Sequence, residues 1–388
     1  MIGLMSQVPR SRNNLPNILP KMGPATRFVL FSDFCHSGEK PTIDDWRMEY
    51  GTLIEQGLAG LATRVIHLHS VSVPDGITRQ LQDARFNDMK STVTAVTRSQ
   101  PGIECLTREH IPFVITKGPG IALQGESLSD RPYMDLDVLV DPHDFNKARD
   151  RLALLGYTEN GATMPAWDVF NRSCREAINL RSPTGGSIDL HHRVSPWLWS
   201  GSIRLADVKT TARSVDVFGV RLPLISPEHN LLVAALHVVS DKSQPGQTYR
   251  VWRDLLVLEK ASSSELVVQA AKRAGLCAGL AWLLGCFPAE LRPHELLDQL
   301  AAEHEHVARR WRLRMLLPPR FGSRHQLGQI FRLPVPNAIL FTVGMMLPSP
   351  EFLRQLYPDA DHRYLTWWGS APKKFTQESS RHAEPVPT

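Results

Sequence analysis

Cysteine is scarce and carries no pattern. The five in 388 residues are Cys35, Cys105, Cys174, Cys277 and Cys286. None forms a CxxC pair or a zinc spacing, which excludes a zinc-ribbon or disulfide-framework reading. An odd count in a long chain is expected of reduced thiols in a cytoplasmic protein. Long apolar runs are also lacking. The most apolar, "AILFTVGMML" at 338–347, is much shorter than the roughly 20 residues that cross a bilayer, so no membrane span is expected. The N-terminus offers no continuous apolar stretch followed by a small-residue cleavage site. No internal repeat is present, and no Walker A loop, because Gly120 and Gly125 are followed by Glu126 rather than by Lys-Ser/Thr. Charge of one sign is not dominant either. The net charge of +5 suits an anionic substrate without requiring one.

A hydrophobic content of 42% is enough for a sizeable buried core. Residues 1–25, rich in Pro, Asn, Ser and Arg, are expected to be disordered. Residues 26–111 read as a helical region: Thr42 caps a helix with acids in its first turn, and 78–100 continues at helical spacing. The texture changes at 112–225. "PFVITKG" (112–118) and "MDLDVLV" (134–140) read as strands. "DPHDFNKARDRLALLGY" reads as a helix closed by Gly156, and "EAINLRS-PTGG-SIDLHHRV" as a hairpin. Residues 226–369 return to helices, beginning with Ser226 and Pro227 ahead of "EHNLLVAALHVVS" and continuing through a long run from 264 to 287. Residues 370–388 read as a disordered tail. The fold class is therefore α+β, with a small mixed β-sheet core flanked by N-terminal and C-terminal helical regions.

Within the central region one stretch is chemically odd. "RPYMDLDVLVD" (131–141) places Asp135 and Asp137 two residues apart in an apolar strand. Residues i and i+2 share a strand face, so two carboxylates would repel each other and resist burial. A cation between them is the simplest compensation. Mg²⁺ suits such a pair, because it binds through carboxylates and substrate phosphates rather than in a full protein cage. Asp189 is another lone acid in a strand, flanked by Ile188 and Leu190. If the hairpin lies beside strand 134–140, Asp189 completes a triad able to hold two metals about 4 Å apart. His191 shares the face of Asp189. It could orient a carboxylate, touch phosphate, or serve only as a hydrogen-bonded strand histidine. Gly118 and Gly120 in "TKGPG" allow a close backbone approach that suits a phosphate, and equally suit a structural turn.

Together "VITKGPGIAL", "RPYMDLDVLV", "LLGYT" and "SIDLHHRV" resemble the bacterial uncharacterised nucleotidyltransferases of the DNA polymerase β-like superfamily. The flanking "SPEHNLLVAALH", "WRDLLVL" and "LPSPEFLRQLYP" extend the resemblance over most of 40–368. It implies Asp135, Asp137 and Asp189 as catalytic metal ligands for Mg²⁺, with Mn²⁺ as the alternative. Lys117, Gly118, Gly120, Arg131 and His191 would then meet the nucleotide. The reaction implied is transfer of a nucleoside monophosphate from a nucleoside triphosphate, ATP among the candidates, to an acceptor hydroxyl, with pyrophosphate released. The acceptor is not legible; a small molecule or peptide is favoured over nucleic acid. The turn departs from the wider superfamily, because Pro119 follows Gly118 and offers neither N–H nor hydroxyl. The triphosphate grip must come from backbone further on, or from Lys117 or Arg131.

Two rivals stay open: a non-catalytic nucleotide-binding or scaffold protein of the same fold, and an RNA-modifying nucleotidyltransferase. The second draws on Arg309, Arg310, Arg312, Arg314, Arg320 and Arg324, for which a solvated helix face is the plainer account. Arg250, Arg253 and Asp254 either face the site from the C-terminal helices or form surface pairs. His237 and Asp241 read as a helical i, i+4 pair, and Trp367 and Trp368 as packing anchors.

Overall fold

The computed structural model describes residues 22–34, 40–125, 127–159, 176–194, 203–240, 249–303, 335–348, 350, 353, 354, 357 and 363–366. Of the segment 1–25 expected to be disordered, residues 22–25 are described and a helix begins there at Pro24; residues 1–21, the tail 370–388, the arginine cluster 309–324, Asp241, Trp367 and Trp368 lie outside the described residues.

Four helices open the chain: α1 (Pro24–Phe31), α2 (Ile43–Glu55), α3 (Ala59–Leu68) and α4 (Asp75–Arg108). Thr42 caps α2 as its sequence suggests: its Oγ1 accepts from Asp45 N–H, and the Asp45 carboxylate accepts from Thr42 N–H in return. Helix α4 runs through Pro101, so the backbone gives up one ladder hydrogen bond there.

Next come β1 (Phe113–Thr116), the short helix α5 (Gly118–Ala122), β2 (Leu136–Val140), α6 (Phe145–Leu154), β3 (Thr158–Glu159), β4 (Ala177–Arg181), β5 (Ser187–His191), α7 (Leu205–Lys209), β6 (Arg213–Val217) and β7 (Val220–Leu224). The C-terminal helices are α8 (Pro227–Ser240), α9 (Arg250–Lys260), α10 (Ser264–Arg273), α11 (Cys277–Gly285), α12 (His294–Ala302) and α13 (Val335–Met346). The run read as one helix from 264 to 287 is two. Gly275 adopts φ +66° between them, a left-handed conformation that ends α10.

Among the described residues the sheet has seven strands in the order β3-β4-β5-β2-β1-β7-β6, larger than the sequence reading suggests. The added hairpin β6–β7 turns at Phe218 and Gly219, both with positive φ. A two-residue hairpin turn needs that geometry, but phenylalanine is a poor advertisement for it. The sheet is mixed: β2 runs antiparallel to β1 and parallel to β5, and β7 runs parallel to β1.

Alternation along β2 sorts its residues between two apolar cores. Leu136, Val138 and Val140 pack with Val96 and Leu106 of α4 and Leu152 of α6. Leu139 faces the other way, into the core built by the helices. That second core is continuous between N-terminal and C-terminal helices; it contains Leu30, Trp46, Trp252 and Phe287, the last two in edge-to-face contact at 5.6 Å. Asp137 shares the Leu139 side of the strand. It therefore sits on the sheet face covered by helices, where a lone carboxylate is costly. Among the described residues no helix is long and apolar enough to cross a membrane, and Cys105, Cys277 and Cys286 are free thiols.

Candidate active site

Strand register assembles the site. Thr116 pairs with Asp137, Asp137 with Asp189, and Asp189 with Asn179. Paired residues project to the same face, so one polar row crosses β1, β2, β5 and β4. Strand β2 begins at Leu136, and Asp135 lies one residue ahead of it, not within the strand as its sequence suggests.

Asp137, Asp189 and His191 offer ligand atoms that lie within 4.8 Å of one another. Asp135 is outside this close group, yet its charge is felt there. Burial and then the Asp137 and Asp189 carboxylates push the Asp135 carboxyl up to about 6. For Asp137 burial pushes the same way but loses. The Lys117 ammonium, 2.8 Å from its Oδ1, and the His191 ring hold this carboxyl well below the usual range. Lys117 is held correspondingly above the ordinary lysine value despite its burial.

His191 Nε2 lies 3.1 Å from Asp137 Oδ1 and 3.2 Å from Asp189 Oδ2, while Nδ1 lies 3.1 Å from the Arg193 carbonyl. Both ring nitrogens thus face acceptors, which a neutral imidazole with one N–H cannot satisfy. Burial pulls the ring toward neutrality, but the Asp189 and Asp137 carboxylates prevail and raise it to about 10. The sign gives a pH expectation. A folded value above the unfolded one, about 6.5, contributes stability in full below about pH 6.5 and loses it as pH rises through about 10. Urea midpoints of metal-free protein are expected to fall across that window, and to fall less in His191→Gln.

Lys117 adopts φ 51°, ψ −116°, a strained conformation for a residue with a Cβ. Asn230, fully buried on α8, holds it: Lys117 N–H donates to Asn230 Oδ1 at 2.9 Å, and Asn230 Nδ2 donates to the Lys117 carbonyl at 3.4 Å. Gly118 and Gly120 are both buried. A Cβ on Gly118 would sit 3.2 Å from Tyr133, and one on Gly120 2.8 Å from Asn230 Nδ2. Close packing of the turn accounts for both glycines without a phosphate.

Arg131 is committed to Asp254 of α9, with Nη2 at 3.0 Å and Nε at 3.3 Å from its carboxylate. Arg253 reaches Asp33 at 2.6 Å, and Asp33 also accepts from Arg64, which in turn holds Asp130. Arg253 and Asp254 are buried, so the surface-pair alternative for them is wrong: both tie the C-terminal helices to the rest of the molecule. His237 lies on α8. Asn230 and Asn179 were not singled out by sequence. Nothing in "SPEHN" distinguishes Asn230 from a surface asparagine, and Asn179 emerges only from strand register.

The oxygen-rich row suits a hard divalent cation. Besides the carboxylates, Asn179 Oδ1 is buried with no hydrogen-bond partner among the described residues, as a donor-hungry oxygen beside such an ion would be. A family model described as "Uncharacterised nucleotidyltransferase" matches residues 43–310, more than half of the chain. The chain belongs to this family. It is accordingly a transferase. No curated protein matches it. Among solved structures, the antibiotic-resistance factor ANT(2'')-Ia is similar over 48% of this chain and 91% of its own, at 13% identity and a TM-score of 0.33. Membership in this family gives the acid row its chemical context, nucleotidyl transfer.

Proposed function

We propose that the chain is a Mg²⁺-dependent nucleotidyltransferase. It moves a nucleoside monophosphate from a nucleoside triphosphate to an acceptor hydroxyl and releases pyrophosphate. The observation that carries this reading is the register pairing of Asp137 with Asp189, with Asp135 close enough that the three charges interact. Asp135, Asp137 and Asp189 would hold the metal, and Asn179 Oδ1 would offer a neutral oxygen beside them. When bound, the ion would neutralise phosphate charge and favour displacement at the α-phosphorus.

The protein's own groups divide the remaining work. Lys117 and His191 keep Asp137 ionised in the metal-free protein, so the carboxylate need not lose a proton before binding. The strained Lys117 backbone, fixed by Asn230, directs the ammonium at the acid row. Asp189 is more open than Asp137, with side chains 27% and 11% exposed, and would meet the acceptor hydroxyl. Positioning and charge stabilisation suffice for such a transfer, which asks little covalent chemistry of the protein's own groups. A small molecule or peptide is the favoured acceptor class.

The test uses α-labelled ribonucleoside triphosphates, Mg²⁺ or Mn²⁺, and a source of candidate acceptors. Label is expected to move to a new species with wild-type protein and not with the Asp135→Ala, Asp137→Ala double variant. Equal labelling by both proteins would refute the assignment of the acids.

A further inference from the structure

Side chains pack closely against the turn expected to approach a triphosphate. Gly118, Pro119 and Gly120 are buried, the glycines face Tyr133 and Asn230, and Pro119 has no N–H. The anion must be met elsewhere. Two guanidinium groups converge on the segment leading into Asp135: Arg131 Nη1 and Arg250 Nη1 both donate to the carbonyl of Pro132, each at 3.2 Å.

Their charges are not balanced. Asp254 contacts Arg131 through three nitrogen–oxygen approaches of 3.0–3.3 Å. Among the described residues no carboxylate reaches ion-pair distance of Arg250, and its buried Nε has no acceptor. Asp254, Asp88 and Asp135 act on Arg250 only from farther away. Burial, and next the neighbouring Arg131, pull its basicity down to about 10. A cation left short of a partner in a buried place is expensive. A planar guanidinium is also well shaped for phosphate oxygens. Pro132 lies three residues ahead of Asp135, so both guanidinium groups stand at the segment that leads into the acid row, where a metal-bound triphosphate would end.

We infer that Arg250, at the start of α9, joins Arg131 in binding the β- and γ-phosphates of the substrate. This rests on the nucleotidyltransferase reading above. It assigns the C-terminal helices a direct part in holding substrate, in place of the closely packed turn.

The probes are magnesium pyrophosphate and magnesium tripolyphosphate, titrated calorimetrically into the full chain. Arg250→Gln is expected to weaken both by about ten- to a hundredfold, as loss of a charge-assisted contact implies. Arg250→Lys is expected to recover part of that loss. Because the substitution removes an unbalanced buried charge, Arg250→Gln is also expected to melt no lower than wild type. Affinity unchanged in Arg250→Gln would overturn the inference. The arginine would then be satisfied by solvent in the adjoining cavity of about 20 Å³, which Asp130, Arg131 and Asp254 also line. A glutamine variant that fails to fold would overturn it too, by revealing an essential internal partner. Failure of wild type to bind either probe would do the same while leaving the labelling test of nucleotidyl transfer to stand or fall by itself.

Discussion

Asp137→Asn is expected to abolish nucleotidyl transfer, by about 10³-fold or more, and to destabilise the fold by about 3–5 kcal/mol. Both effects follow from one carboxylate. Asp137 is buried on the helix-covered sheet face, and it is the shared counter-charge of Lys117 and His191. Its folded-state pKa is depressed. Its stabilising contribution is therefore present above the unfolded value of about 3.9 and is lost only as pH falls toward the folded one, so it is in full force at neutral pH. An amide there takes away the carboxylate that Lys117 pairs with and leaves His191 with Asp189 alone. Asp189→Asn makes the contrast. Its side chain is 27% exposed and touches His191 alone among these cations, so stability should change by about 1 kcal/mol while transfer falls as steeply. Urea unfolding and label transfer on the two variants check the pair. Equal stability losses would contradict the burial argument, and retained transfer in either would contradict the site.

The contrast also shows what could be read before the structure. Asp137, Asp189 and His191 stood out because each interrupts an apolar strand, and Asp135 because the sequence reads as carrying that strand one residue further than the structure does; a carboxylate in a core strand demands an explanation. Strands β1, β2, β4 and β5 and α6 with its Gly156 terminus, at φ +82°, were legible because period and turn chemistry agree. The β6–β7 hairpin was not, because its turn uses Phe218 where Asn or Gly would be expected. The division of the long 264–287 run was missed because Gly275 lies in otherwise unbroken helical spacing. Arg250 and Asp254 stood out in the sequence, but the partners of the supporting residues were invisible for a deeper reason. Asn230, Asp254, Arg250 and Asp33 each meet a partner more than 100 residues away. Nothing local marks a helix residue as the one that will clamp a distant strand end. Lys117 and the glycines were found, but the turn's geometry gives the glycines a packing role that sequence could not separate from phosphate binding.

The largest effect expected outside the acid row belongs to Asn230. Asn230→Ala should lower transfer by about 10²-fold and stability by about 2–3 kcal/mol, although Asn230 is not among the acids or cations of the row. Its amide oxygen takes the Lys117 N–H, and its amide nitrogen donates to the Lys117 carbonyl, which also accepts from Ile121 N–H at 2.9 Å, so Asn230 is the side chain that holds that residue at φ 51°. Without the clamp the backbone can relax toward an ordinary conformation, and the 2.8 Å approach of Nζ to Asp137 goes with it. Asn230→Asp separates positioning from packing. The carboxylate keeps the acceptor for Lys117 N–H and loses the donor to the carbonyl, so it should retain more transfer than alanine even if its burial makes the protein no more stable. Gly120→Ala attacks the same contact from the other side, since its Cβ would press on Asn230 Nδ2 at 2.8 Å. Transfer measured per folded molecule decides the matter. Variants that lose stability but turn over at the wild-type rate would make Asn230 a packing residue. Rates that track the order wild type, Asp, Ala would make the strained lysine, and the α8 side chain that holds it, part of how the site reaches its working geometry.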